Sequence, residues 1–216
     1  MNLLIMGPAG SGKGTMSAKI VELYHIAHIS TGDMFRDAIS KQTPVGLEAK
    51  SYIDQGQLVP DDVTDRMVQE RISQDDCLKG FLLDGYPRNI HQAKAVEKMS
   101  HDINRPIELV INLVVDYDIL VRRITGRRIC KQCGEIFHLD ARPSLVEGIC
   151  DVCGGELYQR SDDNEQELKV RYAVYEEQTA PVIEYYREKG LVKDVNAARP
   201  VEAVIKDIQD ILEAAK

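Results

Sequence analysis

The chain has no long hydrophobic run and no pattern typical of a secretory leader. No segment approaches the ~18 consecutive apolar residues of a membrane-spanning helix. The N-terminal region has no basic stretch and no cleavage-site pattern, and the apolar run Leu3–Met6 is too short for a signal peptide. We therefore expect a cytoplasmic protein with no membrane partner.

The chain also lacks positive charge overall, internal repeats and low-complexity tracts. Its net charge is −8 at pH 7, and a field of that sign repels nucleic acid and anionic lipid. We therefore expect no nucleic-acid partner. Against this background one short segment is basic, which indicates a local anion site. Its basic residues are Arg122, Arg123, Arg127, Arg128 and Lys131.

A glycine-rich segment follows the apolar run at the N-terminus. Residues 7–15 read GPAGSGKGT and lead into a helical pattern at 16–24. In the order strand, glycine-rich turn and helix, the turn's backbone N–H groups and the positive end of the helix meet where a phosphate can bind. Lys13 can reach the terminal phosphates, and the Thr15 hydroxyl can ligate Mg²⁺. An ordinary strand–helix corner would not require the lysine.

Short apolar runs alternate with helical patterns along the chain, as in stacked βαβ units. The runs predict five strands, at 3–6, 26–29, 81–83, 109–114 and 191–195. The helical patterns cover 16–24, 61–73, 89–100, 116–126, 165–188 and 200–214. At 216 residues the chain is long enough for one large core with insertions. We predict an α/β fold of the P-loop NTPase type, a doubly wound five-stranded parallel sheet with two inserted lobes.

Two segments do not fit the alternation and define the predicted lobes. Residues 30–59 form a helical excursion in which Thr43-Pro44 can begin a second helix, and residues 128–159 are rich in turns. The core then comprises residues 1–29, 60–127 and 160–216.

The second lobe carries two C-x-x-C pairs, Cys130/Cys133 and Cys150/Cys153, separated by sixteen residues. This spacing is typical of a four-thiolate zinc site, and a closed site of this kind is structural because it leaves no open coordination position. The alternatives are two disulfides or a redox dithiol. Disulfides do not persist in a reducing cytoplasm, and a redox pair explains only half of the pattern. Cys77, His138 and Asp140 are expected to be bystanders.

An acidic residue and several arginines complete the candidate site. Asp84 ends the apolar run Phe81–Leu83, and an aspartate at the carboxyl end of a buried strand can meet Mg²⁺ at the phosphate loop. Phosphoryl transfer between two nucleotides also requires cations that converge from several directions. The candidates are Arg36, Arg88, Arg123, Arg127, Arg160 and Arg171, although spacing alone does not show that they meet.

These motifs, together with STGDMFR (30–36), GQLVP (56–60), DGYPR (84–88), TGRR (125–128) and YQRSDD (158–163), resemble adenylate kinase in its bacterial long-lid form with a zinc-binding lid. The resemblance covers essentially the whole chain. It implies reversible phosphoryl transfer from MgATP to AMP, giving two ADP and maintaining adenine nucleotide balance. Residues 30–59 would be the AMP-binding lobe and residues 128–159 the lid.

The resemblance also implies roles for individual residues. The ATP phosphates would be bound by Gly10, Ser11, Gly12, Lys13, Gly14, Thr15, Arg123 and Arg127. AMP would be bound by Thr31, Arg36, Gln57, Leu58, Val59, Gly85, Arg88, Gln92, Arg160 and Arg171. Catalysis would depend on Lys13, Asp84, Arg88, Arg123, Arg127, Arg160 and Arg171, and Asp162 and Asp163 would pair with lid arginines on closure. The zinc ligands would be the four cysteines, and a monomer is expected.

Three other functions remain to be weighed. Asn89 stands where adenylate kinases commonly have threonine and resembles the UMP/CMP kinases, whose short lid lacks the cysteines. A nucleotide-switched binding module with a zinc ribbon is conceivable beside Arg127 and Arg128, but the lid is otherwise acidic. A plain ATPase would hydrolyse ATP without an acceptor.

Overall fold

The computed structural model describes residues 1–215 and contains eight strands within them. They are β1 (Asn2–Met6), β2 (Ala27–Ser30), β3 (Phe81–Asp84), β4 (Leu109–Val114), β5 (Arg127–Cys130), β6 (Ile136–His138), β7 (Leu157–Tyr158) and β8 (Val192–Asn196). Five of them form a parallel sheet in the order β2-β3-β1-β4-β8. The predicted α/β fold with five parallel strands is confirmed.

The same residues 1–215 contain nine α-helices, several of which cover the two faces of this sheet. They are α1 (Lys13–Tyr24), α2 (Thr31–Ser40), α3 (Pro44–Ile53), α4 (Asp61–Ile72), α5 (Ile90–Asp102), α6 (Tyr117–Thr125), α7 (Glu165–Val174), α8 (Ala180–Arg187) and α9 (Val201–Ala214), with a short 3₁₀ helix at Asp75–Lys79. No helix within residues 1–215 is long and apolar enough to span a bilayer.

The core lies on both faces of the sheet because alternate strand residues point in opposite directions. On β1, Leu4 and Met6 pack into one apolar cluster, while Leu3 and Ile5 pack into the other. The central strands β1, β3 and β4 therefore read as nearly continuous apolar runs, which is why they could be recognised in the sequence.

The chain order of the strands determines where a ligand can bind. From β1 the chain passes to β2 and β3 on one side of the sheet, and then to β4 and β8 on the other. The carboxyl ends of β1 and β3 are adjacent, with Ile5 in register with Asp84. In open α/β sheets, ligands bind at this reversal of strand order.

The first inserted segment contains two helices that pack on each other. Thr43 caps α3 by accepting a hydrogen bond from the Gly46 N–H at 3.1 Å, and Pro44 occupies the first turn. The predicted second helix at Thr43-Pro44 is thus present. Phe35 and Ala49 pack against Val59 and Val63, which ties α2 and α3 to the start of α4.

Two elements differ from the prediction. The segment predicted as one helix at 165–188 contains a wider π-helical turn, Tyr175–Thr179, between α7 and α8. The segment predicted as turns at 128–159 contains an antiparallel sheet in the order β6-β5-β7. These strands have two to four residues each, too few for a clear alternation of apolar and polar positions.

Candidate active site

The phosphate loop connects β1 to α1 through glycines in left-handed conformations. Gly10 and Gly12 have φ values of 83° and 100°, which residues with a Cβ rarely adopt. Gly12 precedes α1 and provides no side-chain cap, so the first N–H groups of the helix are directed into the loop without partners within the helix. The loop therefore presents backbone donors and a positive helix end to an anion.

Lys13 is the first residue of α1, and its side chain folds over the loop. Its Nζ donates hydrogen bonds to the Gly7 carbonyl at 2.8 Å and to the Pro8 carbonyl at 3.0 Å. Burial lowers the pKa of Lys13 to about 8; nearby arginines, led by Arg88, add to this, and Asp84 opposes it. An anion bound beside Lys13 would stabilise its charged form.

A cleft joins the phosphate loop to the 30–59 segment. Its lining includes Lys13, Thr31, Arg36, Gln57, Leu58, Val59, Gly85, Arg88, Gln92, Asp162 and Arg171, with Tyr175 and Thr179 of the π-helical turn. The structure thus brings together the phosphate-loop lysine and all the predicted AMP-side residues except Arg160. The predicted nucleotide-site residues outside this lining are Gly10, Ser11, Gly12, Gly14, Thr15, Asp84, Arg123, Arg127, Arg160 and Asp163.

Arg88 lines the cleft. Its Nε donates to the Gly85 carbonyl at 2.7 Å, and its own carbonyl accepts from the Thr179 hydroxyl at 2.8 Å. Burial lowers the pKa of Arg88 to about 10, and the like charges of Arg171 and Arg36 contribute to the same shift. Arg88 is therefore buried close to other cations, an arrangement that an anionic ligand would relieve.

Arg123 reaches the phosphate loop from α6. Its guanidinium donates to the Ser11 carbonyl at 3.3 Å and to the Ala197 carbonyl at 2.7 Å. Burial lowers its pKa, as expected for a cation without a carboxylate partner.

The other four predicted arginines have acidic neighbours. Arg127 pairs with Asp163, and Arg171 donates to Asp162 Oδ2 at 2.8 Å. Arg160 lies 3.9 Å from Asp33 of α2, which also pairs with Arg36. Asp162 and Asp163 were expected to pair with lid arginines on closure. In the structure Asp163 pairs with Arg127 at the base of the lid, whereas the partner of Asp162 is on α7.

Two buried polar atoms near the phosphate-binding residues have no hydrogen-bond partner within residues 1–215. They are the Arg160 Nε and the Ser11 hydroxyl. Burial and the like charges of Arg36 and Arg127 lower the pKa of Arg160. Because unsatisfied buried donors are costly, both atoms point to a polar ligand at this site.

Asp84 is buried at the end of β3, with its Oδ2 3.8 Å from the Nε2 of His28. Thr15 lies in the first turn of α1. Hydroxyl and carboxylate oxygens are the hard ligands that Mg²⁺ prefers, so the donor set at this edge of the sheet fits the ion that accompanies ATP.

The acceptor side of the cleft has a polar edge built from three segments. The Thr31 hydroxyl donates to the Gly85 carbonyl at 2.9 Å. The Gln92 Oε1 accepts from the Arg88 N–H at 2.8 Å, and its Nε2 donates to Asp61 Oδ1 at 2.8 Å.

The four cysteines of the inserted sheet form one cluster. Their sulfur atoms lie within 4.8 Å of one another, with Cys130 and Cys153 sulfurs 3.4 Å apart and Cys133 and Cys150 sulfurs 3.6 Å apart. A tetrahedral ion with Zn–S bonds of ~2.3 Å requires sulfurs separated by about 3.8 Å, so the donor set and spacing fit zinc. The sulfurs are unbonded to each other, in contrast to the disulfide alternative.

The surroundings of the cluster favour the thiolate at Cys130, whereas the neighbouring thiols raise the pKa of Cys133 to about 12 and also raise that of Cys153. Backbone N–H groups, first that of Cys133 and also that of Gln132, lower the pKa of the Cys130 thiol to about 6. Cys77, His138 and Asp140 do not belong to the cluster, in agreement with the prediction.

The inserted sheet also contacts the core. A Cβ built on Gly14 would lie 3.7 Å from the Ile136 side chain, so β6 lies over the start of α1. The His138 Nε2 donates to the Arg122 carbonyl at 3.1 Å, and its Nδ1 accepts from the N–H groups of Asp140 and Ala141. Ile136 and His138, like Asp33 and Asp61, were not identified from the sequence, because their contacts join segments distant along the chain.

The parallel sheet, the phosphate loop and the cationic cleft define a P-loop phosphotransferase with two lobes inserted in its core. The family model described as adenylate kinase matches residues 5–191. The chain is 54% identical over 212 residues to the adenylate kinase of Geobacillus sp. (strain WCH70), covering 98% of each chain. It is 52% identical to that of Bacillus subtilis (strain 168) and 49% identical to that of Archaeoglobus fulgidus, each over 216 residues and 100% of both chains. The chain belongs to the adenylate kinase family.

Proposed function

We propose that the protein transfers the terminal phosphoryl group of MgATP to AMP, reversibly, and gives two ADP. The observation that carries this proposal is the single cleft lined both by Lys13 of the phosphate loop and by Arg36 and Arg88 on the acceptor side. A protein that only hydrolyses ATP has no need for a second set of phosphate-binding cations opposite the first.

On the donor side, the backbone N–H groups of residues 10–15 and the Lys13 ammonium bind the ATP phosphates. Arg123 on α6 and Arg127 at the start of β5 contribute positive charge. Thr15 and Asp84 would hold Mg²⁺, directly or through water, and the ion would supply positive charge that offsets the charge of the phosphates. The orphaned hydroxyl of Ser11 lies within this loop and is available to the phosphates.

On the acceptor side, Arg36 and Arg88 bind the AMP phosphate. Thr31, Gly85, Gln92 and the Gln57–Val59 backbone surround the adenine. In this proposal Arg160 and Arg171 stabilise the charge on the transferred group. Arg171 lines the cleft and burial lowers its pKa, so an added anion is favoured beside it.

The reaction then requires no general base, because the attacking phosphate oxygen of AMP is already ionised. Catalysis rests on positioning two anions in line and on cations fixed before the reaction begins. Residues 30–59 act as the AMP-binding lobe and residues 128–159 as a lid that excludes water. A half-open site would lose ATP to hydrolysis, so closure protects the phosphoryl group.

We also propose a structural zinc ion held by Cys130, Cys133, Cys150 and Cys153. An insert of about thirty residues buries little apolar surface, and metal binding supplies folding free energy that packing cannot. Phe137 packs on Cys130 and Cys150 and forms the small core around the cluster. We propose a cytoplasmic monomer, since free thiols persist in a reducing compartment and the lobes require space to move.

The direct test is ADP formation by the purified protein given MgATP, with and without AMP, and with CMP or UMP instead. The proposal predicts two ADP per AMP consumed and little loss of ATP without acceptor. A preference for CMP or UMP would change the acceptor, and hydrolysis independent of acceptor would indicate an ATPase.

Single substitutions test the two phosphate sites separately. We expect Lys13→Ala and Arg88→Ala each to lower kcat/KM by about a hundredfold or more, because each removes a cation from the transferred phosphate's surroundings. Arg66→Ala is the matched control, since Arg66 is exposed and pairs only with Asp62 on the surface of α4. Near-normal activity of either site variant would contradict its assignment.

A further inference from the structure

We propose that Asp61 is a positioning residue for base recognition, because it fixes the orientation of the Gln92 amide. This inference rests on the proposed function, in which Gln92 contacts the acceptor base. The inference adds Asp61, a residue of α4 that does not line the cleft. It also explains how the Gln92 amide, which could otherwise rotate, selects between base edges.

The Gln92 amide is held at both ends by groups of fixed polarity. Its oxygen accepts from the Arg88 backbone N–H at 2.8 Å, and its nitrogen donates to Asp61 Oδ1 at 2.8 Å. A backbone N–H can only donate, and a carboxylate can only accept. Rotating the amide by 180° would place its NH₂ group against the Arg88 N–H and its oxygen against the Asp61 carboxylate. Such mismatches are costly because the Gln92 side chain is only 2% exposed.

Asp61 is itself held in place by its neighbours. Its Oδ1 also accepts from Asn89 Nδ2 at 2.8 Å, and its Oδ2 lies 3.3 Å from His91 Nδ1. Asn89 Oδ1 in turn accepts from the Gln92 N–H at 2.9 Å and caps α5. The Asn89 side chain thus supports Asp61 and the start of α5, which gives a structural reason for asparagine where threonine is common.

The fixed Gln92 amide presents one N–H donor and one oxygen acceptor to a base, and the positions of donor and acceptor cannot be exchanged. Adenine presents an acceptor at N1 and a donor at its 6-amino group, and cytosine presents the same order at N3 and its 4-amino group. Hypoxanthine, guanine and uracil present the reverse order. A fixed amide therefore discriminates 6-amino from 6-oxo purines, whereas a rotating amide would bind both.

The test compares AMP with inosine monophosphate, which differ only at this edge of the base. We expect the wild-type protein to use AMP with much the higher kcat/KM. Asn can donate as well as accept, so Asp61→Asn should lower the AMP-to-inosine-monophosphate ratio of kcat/KM by about tenfold or more. The change should appear mainly in KM for the acceptor, while KM for MgATP stays the same.

The control is Asp62→Asn, which removes the same charge from an adjacent exposed residue that pairs only with Arg66. Its ratio should equal that of the wild type. Asp61→Asn is also measured in a Gln92→Ala background, where it should no longer alter the ratio because the amide it orients is gone.

The outcomes separate this inference from the proposed function. A wild-type protein that does not phosphorylate AMP would refute the proposed function. An active wild type whose ratio is unchanged by Asp61→Asn would overturn the role of Asp61, as would an equal loss of rate with both acceptors. If Asp61→Asn lowers the melting temperature, the AMP-to-inosine-monophosphate ratio of kcat/KM is measured below the unfolding transition. A merely structural defect would there lower the rate with both acceptors equally.

Discussion

Arg127 and Asp163 form an ion pair that joins the first strand of the lid to the segment that follows the lid. Arg127 Nε donates to Asp163 Oδ2 at 2.8 Å, and the Asp163 side chain is 0% exposed. The Asp163 carbonyl accepts from Gln159 Nε2 at 2.7 Å, so the returning chain is held by its backbone as well. One buried charge pair therefore joins the chain where it enters the inserted sheet to the segment that follows this sheet, and the pair includes an arginine proposed to bind ATP.

Removing the carboxylate of this pair should destabilise the protein. We expect Asp163→Ala to lower the free energy of unfolding by about 3 kcal/mol, because the substitution leaves Arg127 largely buried without its counter-charge. Urea denaturation measures the change. The comparison variant is Asp207→Ala, which breaks the exposed pair with Arg199 and should cost about 1 kcal/mol or less. Equal losses in the two variants would contradict a special role for the Arg127–Asp163 pair.

Zinc removal should unfold the lid while leaving the parallel sheet folded. The protein as purified should contain about one zinc ion per chain. A chelator should lower the melting temperature and increase proteolysis within 128–159, because the small core around Phe137 depends on the cysteine cluster.

Cysteine substitutions test the same prediction by zinc content. Cys130→Ser should lose zinc, whereas Cys77→Ser should keep it, since Cys77 lies beside Arg71 and Asp76 in the core. Protein that binds no zinc, or a Cys130→Ser variant with normal zinc content and melting temperature, would refute the assignment.

The sequence predicted those features that local patterns encode. The three central strands β1, β3 and β4 could be recognised because they are buried on both faces and read as apolar runs, as in Leu3–Met6. The edge strands β2 and β8 are less buried. The cysteine cluster followed from spacing alone, and the phosphate loop from its glycines and lysine. The boundaries differed little, with α1 beginning at Lys13 rather than at residue 16.

Contacts between distant segments could not be predicted. Asp61 is separated from Gln92 by thirty-one positions, and only the packing of α4 on α5 brings them together. The π-helical turn at Tyr175–Thr179 has no sequence signature of its own, yet it brings Thr179 to the Arg88 carbonyl. The lid strands were missed because Leu157–Tyr158 has only two residues.

The packing of the inserted sheet on α6 requires the absence of a side chain at Gly126. A Cβ there would collide with the His138 ring, whose Nε2 is bonded to the Arg122 carbonyl. Gly126→Ala should therefore displace His138 and lower the free energy of unfolding by about 1–3 kcal/mol. In a His138→Ala background the ring is absent, and the same substitution should be nearly neutral. Thermal or urea denaturation of the four proteins measures the coupling, and additive effects would contradict the contact.

The final prediction concerns the pH dependence of ATP use. The pKa of Lys13 in the free protein is about 8, lowered from 10.5 mainly by burial. Only the protonated ammonium can pair with a phosphate, so kcat/KM for MgATP should be constant below this pKa and fall as pH rises through it. A bound triphosphate adds opposite charge and raises the pKa of Lys13, so kcat at saturating substrate should persist to higher pH.

Rate measurements at saturating AMP, with MgATP varied at each pH, separate the two profiles. Lys13→Arg is the matched variant, because an arginine at this position stays charged throughout the range. Its kcat/KM should be lower than that of the wild type but should lack the fall near pH 8. If the fall persists in Lys13→Arg, another group controls the profile and the buried lysine is not the titrating residue.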